Sequence, residues 1–253
     1  MGKLIKYEFR KQLTSKLIVG VIIAVLEVIF VLSLFLERES WLGTTTGLLM
    51  LVAFISLLYF SFESIVTYSN DLRTKQSYML FLTPCNMFEI VGAKLLTTMI
   101  QIFVCGCAFA AIAIGDVFLV CAKYGSVRDL LEWVKVFFRQ LTGVEIRLSE
   151  VIYVILMVLV TWLVFIALAM FAITLSTTLL STWKLKGVAS VVIYFALDWV
   201  VVKLANLVLP TGFLESEYLV VNTEAWAYIG VYFAVLVLSY IGTALLLDKK
   251  VSV

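Results

Sequence analysis

Apolar residues dominate this chain in six long runs, at about 17–36, 44–66, 90–115, 151–180, 187–209 and 226–247, and most polar residues fall between them. A helix needs about 20 apolar residues to cross a hydrocarbon core, so the pattern predicts an all-α integral membrane protein with six transmembrane helices in one transmembrane domain, 1–253. The third and fourth runs are longer than a bilayer requires and predict tilt or projection beyond the lipid. No internal repeat is visible, so nothing points to an inverted-repeat carrier.

The segments between the runs are themselves patterned. Residues 1–16 place Ile5, Phe9 and Leu13 four apart with Lys6 and Arg10 beside them. This predicts an interfacial helix in the headgroup layer, leading by an elbow into the first span. In 126–142, Ser126 and Asp129 make a capping-box-like start. Val127, Leu130, Leu131, Val134, Phe137, Phe138 and Leu141 then share about 120° of arc, and Gly143 follows as a terminator. That predicts an amphipathic helix lying at the outer interface, as a cap on the bundle or a gate. Between spans two and three, 67–89 begins charged, turns apolar, and is broken at Thr83–Pro84, because proline disfavours helix at the residue before it. Asn86 with Glu89 predicts the cap of the next helix.

Composition agrees with the pattern. Of 253 residues, 63% are hydrophobic and 14% charged, against about half and a quarter in soluble domains, and the mean hydropathy is +1.11. The net charge of +2 does not suggest nucleic acid. The first apolar run is too long for a signal-peptide core and no A-x-A-like site follows, so it is expected to remain as a span. Basic residues set the orientation. Lys3, Lys6, Arg10, Lys11, Lys16, Arg73, Lys75, Lys94, Lys184, Lys186, Lys249 and Lys250 fall on one side, and Arg38, Lys123, Arg128, Lys135, Arg139 and Arg147 on the other. The richer side is expected to be cytoplasmic, with both termini.

The chain has no histidine, which excludes a Ser-His-Asp triad and histidine metal ligands. Cys105 and Cys107 diverge by about 200° on a helix, a poor metal pair, and Cys85 and Cys121 stand elsewhere. There is no G-x-x-x-x-G-K-[ST], so the chain has no P-loop of its own, and it is expected to bind no cofactor and to be no enzyme. Glu27 and Asp198 stand mid-span, where an acid costs about 2.5–3.5 kcal/mol on insertion scales. They are candidates to line a translocation path or to act as hydrogen-bonded packing groups. Gly43/Gly47, Gly106/Ala110, Ala172/Ser176 and Gly230/Ala234 are small-residue pairs four apart, a spacing that allows close helix approach.

Three features together resemble the permease subunits of ABC-2-type ATP-driven exporters: "LIKYEFRKQLTSK" running into span one, "DLRTKQSYMLFLTPCNMFEIVGAKLL" between spans two and three, and six spans without a nucleotide motif. The 116–150 loop is longer than that pattern. The resemblance implies a bacterial cell-membrane protein that works with a second permease, identical or homologous, and with a separate ABC ATPase subunit carrying ATP and Mg. It implies a cytoplasmic coupling helix at about 70–83 that docks on the ATPase, with Leu72, Tyr78, Met79, Phe81 and Leu82 as anchors among Asp71, Arg73 and Lys75. It implies export of an amphipathic or peptide-like substrate, as in bacteriocin-immunity pumps and phenol-soluble-modulin exporters. The alternative readings are a proton-coupled secondary transporter using Glu27 and Asp198, an intramembrane enzyme, and a scaffold subunit without transport.

Overall fold

The computed structural model describes residues 2–73, 86–125, 132, 148–179, 186–208 and 223–251. Among these the chain is all-helical: α1 Gly2–Lys11, α2 Leu13–Phe35, α3 Glu39–Arg73, α4 Met87–Tyr124, α5 Leu148–Leu179, α6 Lys186–Val208 and α7 Thr223–Val251. Six of them, α2 to α7, are long and apolar enough to cross a membrane. The predicted coupling helix at 70–83 lies outside the described residues from residue 74 onward, and so does the predicted outer helix at 126–142, apart from Glu132.

Two compact units divide the chain. The first comprises residues 1–66 and 96–127, and the second 67–95 and 128–253. The long helices α3 and α4 therefore contribute one stretch to each.

In the first unit, α1 and α2 are separated at Gln12, whose φ of −103° and ψ of 5° leave the helical region. The break falls inside the 1–16 segment expected to form one interfacial helix. On α2, Leu17, Val21, Val25, Val28, Leu32 and Phe35 form an exposed apolar stripe. Water would oppose such a stripe and hydrocarbon accepts it. The helix ends in a Schellman arrangement: Arg38 N–H donates to the Ser33 carbonyl and Glu37 N–H to that of Leu34. Glu37 takes the left-handed conformation at φ 55°. Glycine usually fills this position, so the turn has no glycine signature in the sequence.

In the second unit, α5 packs against both α6 and α7. From Val164 to Ser176 no residue of α5 is exposed, as expected of a helix that is apolar all round and central to its bundle. Val164 and Leu168 join Val201 of α6 in a core that Tyr194, Leu197, Tyr232 and Val235 surround. Ala205 and Tyr228 make a second cluster with Met157. Of the small-residue pairs, Ala172 and Ser176 are fully buried. A Cβ on Gly43, Gly47, Gly106 or Gly230 would meet nothing. The close approach is instead at Gly242, where a Cβ would lie 2.8 Å from the Phe171 ring.

Candidate functional site

Asp71, at the end of α3, is buried with Lys94 of α4, and Lys94 Nζ lies 2.5 Å from Asp71 Oδ2. The two helices that flank the 74–85 segment are thus tied at its base by a buried ion pair. One turn earlier on α3, the Tyr68 hydroxyl is 2.6 Å from Thr174 Oγ1 of α5, and both side chains are buried. On α4, the Phe88 carbonyl accepts a 2.8 Å hydrogen bond from the Tyr240 hydroxyl of α7, and the two rings meet edge-on at 6.1 Å. These contacts make a stem of α3 and α4 anchored on α5 and α7. At the start of α4, Glu89 and Ile90 N–H both donate to the Asn86 backbone carbonyl.

Of the residues expected to dock an ATPase, Asp71, Leu72 and Arg73 close α3, with the Asp71 carboxylate directed to Lys94. Lys75, Tyr78, Met79, Phe81 and Leu82 lie outside the described residues.

The mid-span acids belong to different units. Glu27 is on α2 in the first, and Asp198 on α6 in the second. The half-buried Asp198 stands within electrostatic reach of Tyr194 and Tyr232, and Tyr232 stacks on Tyr228 at 4.3 Å. The Glu27 carboxyl meets that of Asp116 on α4. Glu27 Oε2 and Asp116 Oδ1 are buried, and neither has a hydrogen-bond partner.

Asp116 is a candidate site residue that the hydropathy pattern does not single out. The charge closes the third apolar run at residue 115, yet α4 continues to Tyr124. The available signal was the apolar stretch Val117–Ala122 beyond it.

The Glu27–Asp116 contact is one rung of a longer seam. Lys16 faces Cys105 electrostatically, and Lys123 Nζ donates to the Leu34 carbonyl at 2.5 Å. In each pair the second residue comes 89 places after the first. Within the first unit, α2 and α4 therefore run parallel and in register, with rungs 11 and 7 residues apart, close to three and two turns. Lys123 caps α2, lying 3.4 Å from Glu37 Oε1 and over the Phe35 ring. A cation at a helix C-terminus satisfies orphan carbonyls and complements the dipole.

At the start of α2 a polar cluster forms with α3 and α4. Ser15 Oγ donates to Glu63 Oε1 at 2.5 Å, Lys16 lies within the field of Glu63, and Ser64 and Thr98 share a hydrogen bond. Cys105, Cys107 and Cys121 are free thiols, and among the described residues no three His, Cys, Asp or Glu side chains converge as metal ligands would. Compared with protein-family models, with curated proteins and with solved structures, the chain finds no match.

Proposed function

We propose that this chain is the membrane-spanning subunit of an ATP-driven exporter of the ABC-2 type, resting on a separate ATPase that carries ATP and Mg. It pairs with a second permease and moves an amphipathic or peptide-like substrate out of a bacterial cell. The observation that carries this reading is the α3–α4 stem. A force applied to residues 74–85 would act on two helices clamped together by Asp71–Lys94. Through Tyr68–Thr174 and Tyr240–Phe88 it would then reach α5 and α7. An energy source in the cytoplasm and a gate in the membrane need a rigid link of this kind, and a plain interhelical loop does not. In this reading both termini are cytoplasmic, so a membrane-impermeant thiol reagent applied to intact cells labels a cysteine at Lys135 and spares one at Thr74.

The test is purification from native membranes in mild detergent. Mg-dependent ATPase activity should co-purify with the wild-type chain. Burying one aromatic anchor is worth roughly 1.5–3 kcal/mol, and about 1.4 kcal/mol is a factor of ten. Tyr78→Asp with Phe81→Asp should therefore release the ATPase while the six spans still insert. Absence of any ATPase, or its full retention by the double variant, overturns the proposal.

The Glu27–Asp116 contact favours a second reading, a proton-coupled secondary transporter, because it brings two acids together on helices of membrane-spanning length. A protonophore that abolishes transport while cellular ATP is held constant would select it.

A further inference from the structure

Helix α1 presents two unlike faces. At about 100° per residue, Lys3, Lys6 and Arg10 fall within about 60° of arc, and all three are exposed. Tyr7 lies beside them, 62% exposed. Among the described residues none of the three cations takes part in an ion pair. The opposite face is covered. Glu8 and Gln12 are buried, and Ile5 and Phe9 are partly buried. Lys16 of α2 meets this side, its ammonium 3.3 Å from Gln12 Oε1 and 5.8 Å from the centroids of the Phe9 ring and the Phe60 ring of α3.

An amphipathic helix ordinarily enters a membrane surface through its apolar face, and the sequence pattern gives that part to Ile5 and Phe9. In the folded chain the same side carries the buried Glu8 and is turned toward the protein. What α1 offers outward is charge. A membrane surface is within reach of it. The 23 residues of α2 span about 34 Å at 1.5 Å per residue, close to a hydrocarbon core of about 30 Å, so α1 begins at headgroup level. Lys and Arg clustered beside a span are drawn to the negative potential of anionic lipid, which decays within a Debye length of about 8 Å.

We propose that Lys3, Lys6 and Arg10 dock α1 on the headgroups of anionic phospholipid, through charge and not through insertion of apolar side chains. Phosphatidylglycerol supplies the net negative surface that these cations require. Phosphatidylcholine, with no net charge, does not.

The experiment is hydrogen–deuterium exchange of the α1 amides in the full chain, reconstituted in nanodiscs of phosphatidylcholine alone or of equal parts phosphatidylcholine and phosphatidylglycerol with identical acyl chains. Exchange across Gly2–Lys11 should be slower in the anionic discs, by roughly fivefold for each docked cation. Salt at about 1 M, where the Debye length is about 3 Å, should remove the difference. The triple variant Lys3→Gln, Lys6→Gln, Arg10→Gln should exchange alike in both discs, and the charge-preserving Lys3→Arg, Lys6→Arg, Arg10→Lys should behave as the wild type. Equal exchange of the wild type in the two discs overturns the proposal. So does a difference that survives salt or the triple glutamine change. Slowing that requires a co-purified protein in place of anionic lipid assigns the face to that protein and overturns it as well. The salt series uses the wild type alone, so it decides even where the triple variant does not purify.

Discussion

Breaking the Asp71–Lys94 pair tests whether the stem is rigid. The side chains are 8% and 5% exposed and their charged atoms 2.5 Å apart. At an effective dielectric constant near 20, the gross attraction at that separation is about 7 kcal/mol. Desolvation of two ions opposes it by several kcal/mol each, so the intact pair adds little net stability. Removing one partner is different, because it strands a buried charge at a cost of about 3–5 kcal/mol. Lys94→Met and Asp71→Asn should each be strongly destabilising. The double variant, with no charge left, should cost far less than the two singles together. The assay is equilibrium unfolding in mixed micelles, followed by the fluorescence of the six tryptophans, with the four proteins forming a double-mutant cycle. A coupling energy above about 2 kcal/mol is expected for such neighbours. If each single change costs under about 1 kcal/mol and the two add, the pair behaves as a hydrated surface bridge and the stem is not clamped.

Three further predictions concern the packing and the acids. Tyr68→Phe removes the 2.6 Å contact with Thr174 and should cost about 0.5–1.5 kcal/mol in the same unfolding assay; no change would mean that α3 is not held to α5 at this point. Gly242→Ala places a Cβ 2.8 Å from the Phe171 ring, so overpacking of about 1–3 kcal/mol should outweigh a helix-propensity gain of about 0.8–1 kcal/mol. Gly230→Ala, in open space, should be neutral or stabilising, and the opposite order would refute the α5–α7 packing. Glu27→Gln and Asp198→Asn should leave assembly intact by size-exclusion chromatography; if these acids line the path, transport falls while the ATPase stays active, and normal transport in both makes them packing groups.

The seam between α2 and α4 shows where the sequence was silent. Hydropathy is a local quantity, and it located all six spans because each must satisfy its own backbone in lipid. The helix break at Gln12 and the start of α4 after Asn86 fall in segments that the local pattern also marks, since amphipathic spacing and turn residues are contained in a few neighbouring positions. The Glu27 side chain stood out in the sequence as costly, but its partner did not. An isolated acid at position 116 reads as the end of a span unless a second carboxyl is known to face it.

By itself, then, the sequence determined an all-helical chain with six membrane-length spans, a basic amphipathic entry and two acids that should avoid lipid. The tertiary structure decided which faces meet: Glu27 with Asp116, Asp71 with Lys94, Tyr68 with Thr174, and Gly242 against Phe171. The physical reason is the solvent. In hydrocarbon, apolar faces gain little by turning away from lipid, so hydropathy does not distinguish a packed face from an exposed one. Helix association is settled by shape, small residues and paired polar groups. Those pairings join residues up to 152 positions apart, and their chemistry becomes readable only when the helices are side by side.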